Sequence, residues 1–84
     1  MRKSTHTKDY RVFLELLAKA RRKAGLTQAQ LSQQLPFDQP GISKIERGER
    51  RIDVLELRLI CRRIGVPLVE FVDELEKHLN AKHD

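Results

Sequence analysis

The 84-residue sequence contains a single cysteine, Cys61, which excludes an intramolecular disulfide. One thiol cannot build a cysteine metal cluster, and His6, His78 and His83 lack the spacing of metal ligands. We therefore expect no metal or other cofactor. A lone reduced thiol is typical of a reducing compartment, so a cytoplasmic location is the simplest expectation.

Long apolar runs are also absent, and nothing in the sequence resembles a signal peptide or a membrane-spanning segment. The sequence has no Cys/His or Ser/His pairing, no carboxylate pair in an apolar setting and no phosphate-binding loop. An enzyme is therefore not expected. With 84 residues and no low-complexity tract, the chain is predicted to form one domain with one modest core.

Positive charge is unevenly distributed along the chain. Residues 1–63 hold 15 Lys and Arg against 7 Asp and Glu, whereas residues 64–84 hold 2 against 5. A basic body with an acidic end suggests a polyanionic partner for the body and not for the tail. Net charge alone does not distinguish a nucleic-acid-binding protein from a basic soluble protein. The positions of the cations in the predicted fold are needed to choose between these two classes.

Two short helices joined by a tight turn are predicted in the stretch TQAQLSQQLPFDQPGISKIERG, residues 27–48. Thr27 and Gln30 form a capping box at the start of the first helix. Pro36 is expected to end that helix, because proline cannot donate a backbone hydrogen bond. Asp38 then begins the second helix as its N-cap.

The second of these helices has two chemically different sides. Ile42 and Ile45 are spaced to be buried, and Gly48 can take the left-handed conformation that stops the helix. The opposite side carries amide, hydroxyl and cationic groups: Gln39, Ser43, Lys44 and Arg47. A short helix with this division is the kind that the major groove of DNA accepts.

Three further helices are predicted around this pair, which gives an all-α, compact bundle of five helices. The first should run from Asp9 to Ala24 and bury a stripe of five residues: Tyr10, Phe13, Leu17, Ala20 and Ala24. Its last turn holds three cations that are expected to be mainly solvated and matched to the helix dipole: Arg21, Arg22 and Lys23.

The fourth helix is predicted to begin after Asp53 with Glu56 in a capping box, and to end at Gly65. Its core face comprises Val54, Leu57, Ile60, Cys61 and Ile64, which makes Cys61 a small core residue. Leu55 and Leu59 project to another side. The fifth helix should run from Pro67 to Leu79, with Leu68 and Phe71 closing the core.

Val72, Leu75 and Leu79 extend the apolar stripe of the fifth helix further than so small a core requires, and we predict that they form a homodimer interface. The alternative is that this helix folds back on its own monomer and covers Leu55 and Leu59. The domain is thus expected to span residues 9–79. It would follow a flexible basic arm at residues 1–8, with Arg2, Lys3 and Lys8, and precede a polar tail at residues 80–84.

Three runs, LTQAQLSQQL, ISKIERGERR and IGVPLVEF, together resemble the phage-repressor or XRE-type helix-turn-helix DNA-binding domains. The similarity covers Leu26 to Phe71, and the helix before it agrees in position and pattern. It implies a lambda-repressor-like domain of five helices. It further implies a sequence-specific transcriptional regulator, most often a repressor, that binds a palindromic operator in double-stranded DNA as a homodimer and associates with the nucleoid when bound.

The resemblance also implies roles for individual residues. Gln28 would brace a phosphate and support Gln39, which would read a base edge. Lys44 would face the groove, and Arg47 would reach a phosphate. Two neighbouring cations, Arg50 and Arg51, would flank the duplex backbone.

Departures and alternatives accompany these roles. The family usually has glycine in the turn where this chain has Pro36, so the turn must be built differently. Pro40 has no donor and could make only an apolar contact, for example with a thymine methyl. Gln39 could be only a first-turn residue, Ser43 could turn inward and Lys44 could serve only as a phosphate cation. Glu46 is expected to be structural and to pair with a cation such as Arg50.

Two other functions share this fold. An antitoxin-like chain would neutralise a partner protein and repress its own operon, using the apolar stripe of the fifth helix together with Leu55 and Leu59. A restriction-modification controller would be small and dimeric and would activate as well as repress.

Overall fold

The computed structural model describes the backbone of residues 7–83 and the side chains of residues 7–81. This part of the chain contains five α-helices and no strand, which confirms the all-α prediction. None of the described helices is long and apolar enough to cross a membrane. The helices are α1 (Lys8–Lys23), α2 (Gln28–Ser32), α3 (Gln39–Glu46), α4 (Val54–Ile64) and α5 (Leu68–His83).

Side-chain caps fix where the first four helices begin. Thr27 accepts from the amide of Gln30 at 3.0 Å and Gln30 returns the bond at 2.9 Å, so the predicted capping box is present. Asp38 accepts from the amide of Gly41 at 2.9 Å, and Asp53 with Glu56 forms the second capping box. α1 starts one residue earlier than predicted because Thr7 caps it.

The turn between α2 and α3 differs from the prediction. α2 ends at Ser32, four residues before Pro36, and Gln34 adopts a left-handed conformation with φ of 68°. Gln34 therefore supplies the conformation for which glycine is the usual residue in this turn. Arg63 of α4 donates to the carbonyls of Gln30 and Gln33 at 2.9 and 3.2 Å, so it caps the carbonyl end of the short helix.

The core lies where all five helices meet, and its buried apolar residues are Phe13, Leu14, Leu17, Leu31, Phe37, Ile42, Ile45, Leu57, Ile60, Cys61, Ile64 and Phe71. Two residues predicted to be buried are exposed. Ala24 follows the last residue of α1 as its C-cap, and Val54 occupies the first position of α4, where 60% of it is accessible. Cys61 is fully buried, as predicted, and burial raises the pKa of its thiol to about 11.

α5 packs against both α1 and α4 and continues to His83, beyond the predicted end at Leu79 and through most of the expected polar tail. Leu75 is half-buried against the core, so it is not surplus as the sequence suggested. Leu55 and Leu59 nevertheless stay 70% and 40% exposed. The helix thus folds back on the monomer without covering them. Arg2, Lys3 and His6 of the expected arm lie outside the described residues.

The contact between Arg63 and the end of α2 leads to a stability prediction. Arg63→Ala removes two charge-assisted hydrogen bonds to helix-end carbonyls, and we expect it to lower the free energy of unfolding by about 1–2 kcal/mol. The adjacent and exposed Arg62 serves as the control. Chemical denaturation that gives equal losses for Arg63→Ala and Arg62→Ala would contradict this capping role.

Candidate nucleic-acid interface

α3 presents a polar face to solvent because its opposite side is anchored in the core. Ile42 and Ile45 are each only 1% exposed, and the helix packs against α1 and α2. Gln39, Pro40 and Lys44 are exposed on the other side, while Ser43 is half-buried. The predicted division of this helix into a buried and an accessible side is therefore present.

The absence of a side chain at Gly41 has a local structural reason. A Cβ atom at this position would lie 3.1 Å from Asp38 Oδ1, which is the oxygen that caps the helix. A larger residue would press on the cap that starts α3. The accessible first turn therefore offers Gln39 and Pro40, and only Gln39 carries hydrogen-bonding groups on its side chain.

A buried ion pair connects α1 to the end of α3. Arg21 Nε lies 2.7 Å from Glu46 Oε2, and Arg21 Nη2 donates to Glu46 Oε1 at 3.2 Å. The two side chains are only 11% and 9% exposed. Glu46 is therefore structural, as predicted, but its partner is Arg21 and not Arg50. The expectation that Arg21 is a solvated helix-end cation was wrong.

Two glutamines continue from this ion pair to the surface. Gln28 Nε2 donates to Glu46 Oε1 at 3.0 Å, and Gln39 Nε2 donates to Gln28 Oε1 at 2.9 Å. A chain of hydrogen bonds thus runs from the buried carboxylate to the first side chain of α3. Gln28 supports Gln39 in the way that the resemblance implied.

Arg47 is exposed but is engaged within the protein. Its Nε and Nη2 donate to the two carboxylate oxygens of Glu49 at 3.0 and 3.1 Å, and its Nη1 donates to the hydroxyl of Ser43. The hydrogen bonds between Arg47 and Glu49 raise the pKa of Arg47 and lower the pKa of Glu49. Three of the five N–H groups of the guanidinium are used, which leaves two for an outside acceptor.

Arg50 is held by two hydrogen bonds and by contact with an aromatic ring. It donates to Glu56 Oε2 at 2.9 Å and to the carbonyl of Arg51 at 3.1 Å, and its guanidinium carbon lies 5.0 Å from the centre of the Phe37 ring. The hydrogen bond from Arg50, followed by one from the Asp53 backbone, lowers the pKa of Glu56. Arg51 is exposed beside it. The structure therefore distinguishes two cations that looked equivalent in the sequence.

The geometry of α2 and α3 agrees with the protein family that the sequence matches. The model of the Helix-turn-helix family matches residues 17–71, from the middle of α1 into α5. This match covers more than half of the chain. The protein therefore belongs to the XRE-type helix-turn-helix family of DNA-binding regulators.

A curated relative supports this assignment. The chain is 38% identical over 55 residues to the uncharacterized HTH-type transcriptional regulator y4dJ of Sinorhizobium fredii (strain NBRC 101917 / NGR234). The alignment covers 66% of this chain and 71% of the relative.

Sequence reasoning missed Arg21 and Glu49 as part of this site. Glu49 lies two residues from Arg47, so a search for nearby opposite charges could have found it. Arg21 is 25 residues from Glu46, and the only local signal was an arginine at a position of α1 that faces the core. Arg21 holds Glu46, and Glu49 holds Arg47, so both residues help to position the polar groups at the end of α3. Contact between the predicted residues and DNA stays a prediction.

The buried ion pair can be tested for its contribution to stability. Arg21→Met leaves the Glu46 carboxylate buried without its cation, and we expect the free energy of unfolding to fall by about 3–5 kcal/mol. The matched control is the double variant Arg21→Met/Glu46→Met, which removes both charges and should be more stable than Arg21→Met alone. Thermal or chemical denaturation in which the double variant is the less stable of the two would contradict this account.

Proposed function

We propose that this protein represses transcription by binding a palindromic operator as a homodimer, with α3 of each copy in the major groove. The observation that carries the proposal is the exposed Gln39 side chain, held by Gln28 at the start of a helix whose other side is buried. A pre-positioned amide needs little reorganisation to meet a base edge, because its rotamer is already restricted. Gln39 is therefore assigned to base readout.

The other polar groups near the start of α3 are assigned roles according to their exposure and the hydrogen bonds that they can still make. Lys44 is exposed and can reach a phosphate or a base, whereas Pro40 offers only apolar contact with a thymine methyl. Ser43 already accepts from Arg47, so its hydroxyl is assigned to holding that side chain. Gln28 has one remaining amide N–H, which suits a phosphate oxygen.

The cations near α3 are expected to contact the DNA backbone to different extents. Arg51 is exposed and can approach a phosphate directly. Arg47 can use the two N–H groups that Glu49 and Ser43 leave free. Arg50 is tied to Glu56 and Phe37, so we assign it mainly to holding the loop after α3 in place. Phosphate contacts position the protein, and base contacts specify the site.

The regulator family and the exposed polar side of α3 support the repressor proposal. A protein that occupies an operator blocks transcription by binding alone, and it requires no effector site. The regulator named among the relatives is consistent with a role in transcription. An antitoxin-like or controller role would use the same DNA-binding face and differ in the partner that meets the rest of the molecule.

The assignment of Gln39 is tested by substitution. A glutamine can pair with both N6 and N7 of adenine, and such a contact is worth about 1–3 kcal/mol of discrimination. Gln39→Ala should therefore relax preference at one base position in each half-site while the fold stays intact. Binding is measured to operators selected from a random pool, with the exposed Gln33→Ala as a control. Uniform loss of preference, or none, would show that Gln39 is not a base reader.

Dimer formation is proposed because a single recognition helix covers too few base pairs for a specific site. Two such helices must be held about 34–36 Å apart, one turn of DNA. The described part of the protein measures 37 × 29 × 20 Å, so two copies lying side by side can provide this separation.

The outer surface of α4 and α5 is the face that we assign to the partner copy. Leu55 and Val72 are 70% and 44% exposed on helices that pack together, and the partly buried Leu75 and Leu79 line a groove beside the start of α4. Of the predicted interface residues, Val72 is thus the most accessible. We name this surface the α4–α5 face and define it by Leu55, Leu59, Val69 and Val72.

Charge on this surface favours a second copy of the same chain. The exposed charged residues of α4 include Arg58 and Arg62, while those of α5 are mainly acidic and include Glu76 and Asp73, which also pairs with Lys77 at 3.2 Å. A two-fold axis that places α4 of one copy against α5 of the other brings opposite charges together around the apolar residues. The acidic α5 would also stay away from the DNA.

Substitution of exposed residues tests the α4–α5 face without disturbing the core. Leu55→Glu combined with Val72→Glu should give a folded monomer that no longer binds an operator with two half-sites. Lys19→Glu, which changes an exposed residue of α1, is the charge-altering control and should remain dimeric. Analytical ultracentrifugation and circular dichroism measure assembly and folding. A double variant that stays dimeric would place the interface elsewhere.

A further inference from the structure

We propose that Glu46, acting through Gln28, fixes which atoms of the Gln39 amide face the DNA and thereby makes this position select adenine over guanine. Glu46 and Gln28 are positioning residues here, since only Gln39 would touch the base. The inference rests on the proposed readout by Gln39 and specifies how that readout is set.

The first step is the chemistry of the carboxylate. An ionised carboxylate only accepts hydrogen bonds, and Glu46 is ion-paired with Arg21 at 2.7 Å in a nearly buried site. Gln28 must therefore direct its NH2 group toward Glu46, at the observed distance of 3.0 Å. Its carbonyl oxygen Oε1 is then left on the other side.

The second step is that the orientation of the Gln28 amide determines the orientation of the exposed Gln39 amide. Because Gln28 presents Oε1 to Gln39, the bond between them requires a donor from Gln39, and Gln39 Nε2 lies 2.9 Å away. One of the two N–H groups of Gln39 is thus consumed within the protein. Amide nitrogen and oxygen look alike in shape, but this chain of contacts permits only one assignment for each glutamine.

The third step concerns the base. Gln39 retains one N–H donor and the Oε1 acceptor for the groove. Adenine offers one acceptor, N7, and one donor, the N6 amino group, which match this pair. Guanine offers two acceptors, N7 and O6, and would leave Oε1 facing O6. The internal hydrogen bond therefore removes the second donor that guanine would need.

Removing the carboxylate at position 46 should release the chain. In the double variant Arg21→Met/Glu46→Met neither charge is left buried, and no acceptor remains to hold the NH2 group of Gln28. Gln28 can then turn its NH2 group toward Gln39 as readily as its oxygen. In that orientation Gln39 would accept through Oε1, and both of its N–H groups would be free for guanine.

The experiment measures affinity for operators that carry adenine or guanine at the base position identified by Gln39→Ala. Wild-type protein should prefer adenine by roughly 5- to 150-fold, the usual range for a bidentate contact. Arg21→Met/Glu46→Met should lower this ratio by at least about 5-fold. Gln28→Met keeps the ion pair but removes the amide that links Glu46 to Gln39. This variant should also lower the adenine-to-guanine ratio.

Arg21→Lys is the matched control for damage to the ion pair. It loses the two-point contact with Glu46 and the hydrogen bond to the Leu26 carbonyl, yet it keeps the carboxylate that orients Gln28. We expect a lower melting temperature with the adenine-to-guanine ratio of the wild type. An equal change of the ratio in Arg21→Lys and Arg21→Met/Glu46→Met would mean that lost stability is the cause, and would overturn the inference.

The outcomes separate this inference from the function on which it rests. If Gln39→Ala alters no base position, the assignment of Gln39 to base readout fails. If Gln39→Ala alters one position but folded Arg21→Met/Glu46→Met and Gln28→Met keep the wild-type ratio, readout by Gln39 stands and the control by Glu46 is wrong.

Discussion

The ion pair between Arg21 and Glu46 is the interaction on which the arrangement of the exposed polar side of α3 depends. Burying two charges is costly unless both are paired and hydrogen-bonded, and here the requirement is met. Arg21 also donates to the carbonyl of Leu26 at 2.8 Å, and Glu46 accepts from Gln28 at 3.0 Å. The pair therefore joins α1, the loop before α2, the start of α2 and the end of α3 at one point.

Ion pairing on the surface sets how much positive charge this side can offer to DNA. Arg47 and Arg50 are each bound to a carboxylate, so the face is less available to phosphates than its count of arginines suggests. Exposed pairs of this kind contribute little to stability, typically below about 1 kcal/mol. These pairs instead fix the orientation of the two arginine side chains. Arg47 is held beside Ser43 with two N–H groups left, and Arg50 is stacked on Phe37.

Local features of the fold were predictable from the sequence, and distant pairings were not. The caps at Thr27, Asp38 and Asp53 involve residues three apart, a spacing fixed by helix geometry. The partner of Glu46 is Arg21, 25 residues away, whereas the sequence pattern pointed to the nearby Arg50. Arg50 in fact bonds Glu56. The turn around Gln34 was missed because its conformation depends on packing and on Arg63, 33 residues from the Gln30 carbonyl that it caps.

The side-chain amide resonances of Gln28 and Gln39 provide the most direct test of the central claim that a braced glutamine at the start of α3 meets DNA. A nitrogen–proton correlation spectrum is recorded while a selected operator duplex is added. The account predicts that these NH2 signals shift with the backbone amides of α3, while the amides of α1 facing away from α3 stay in place. Shifts centred on α1 and α5, with the two glutamine signals unchanged, would contradict it.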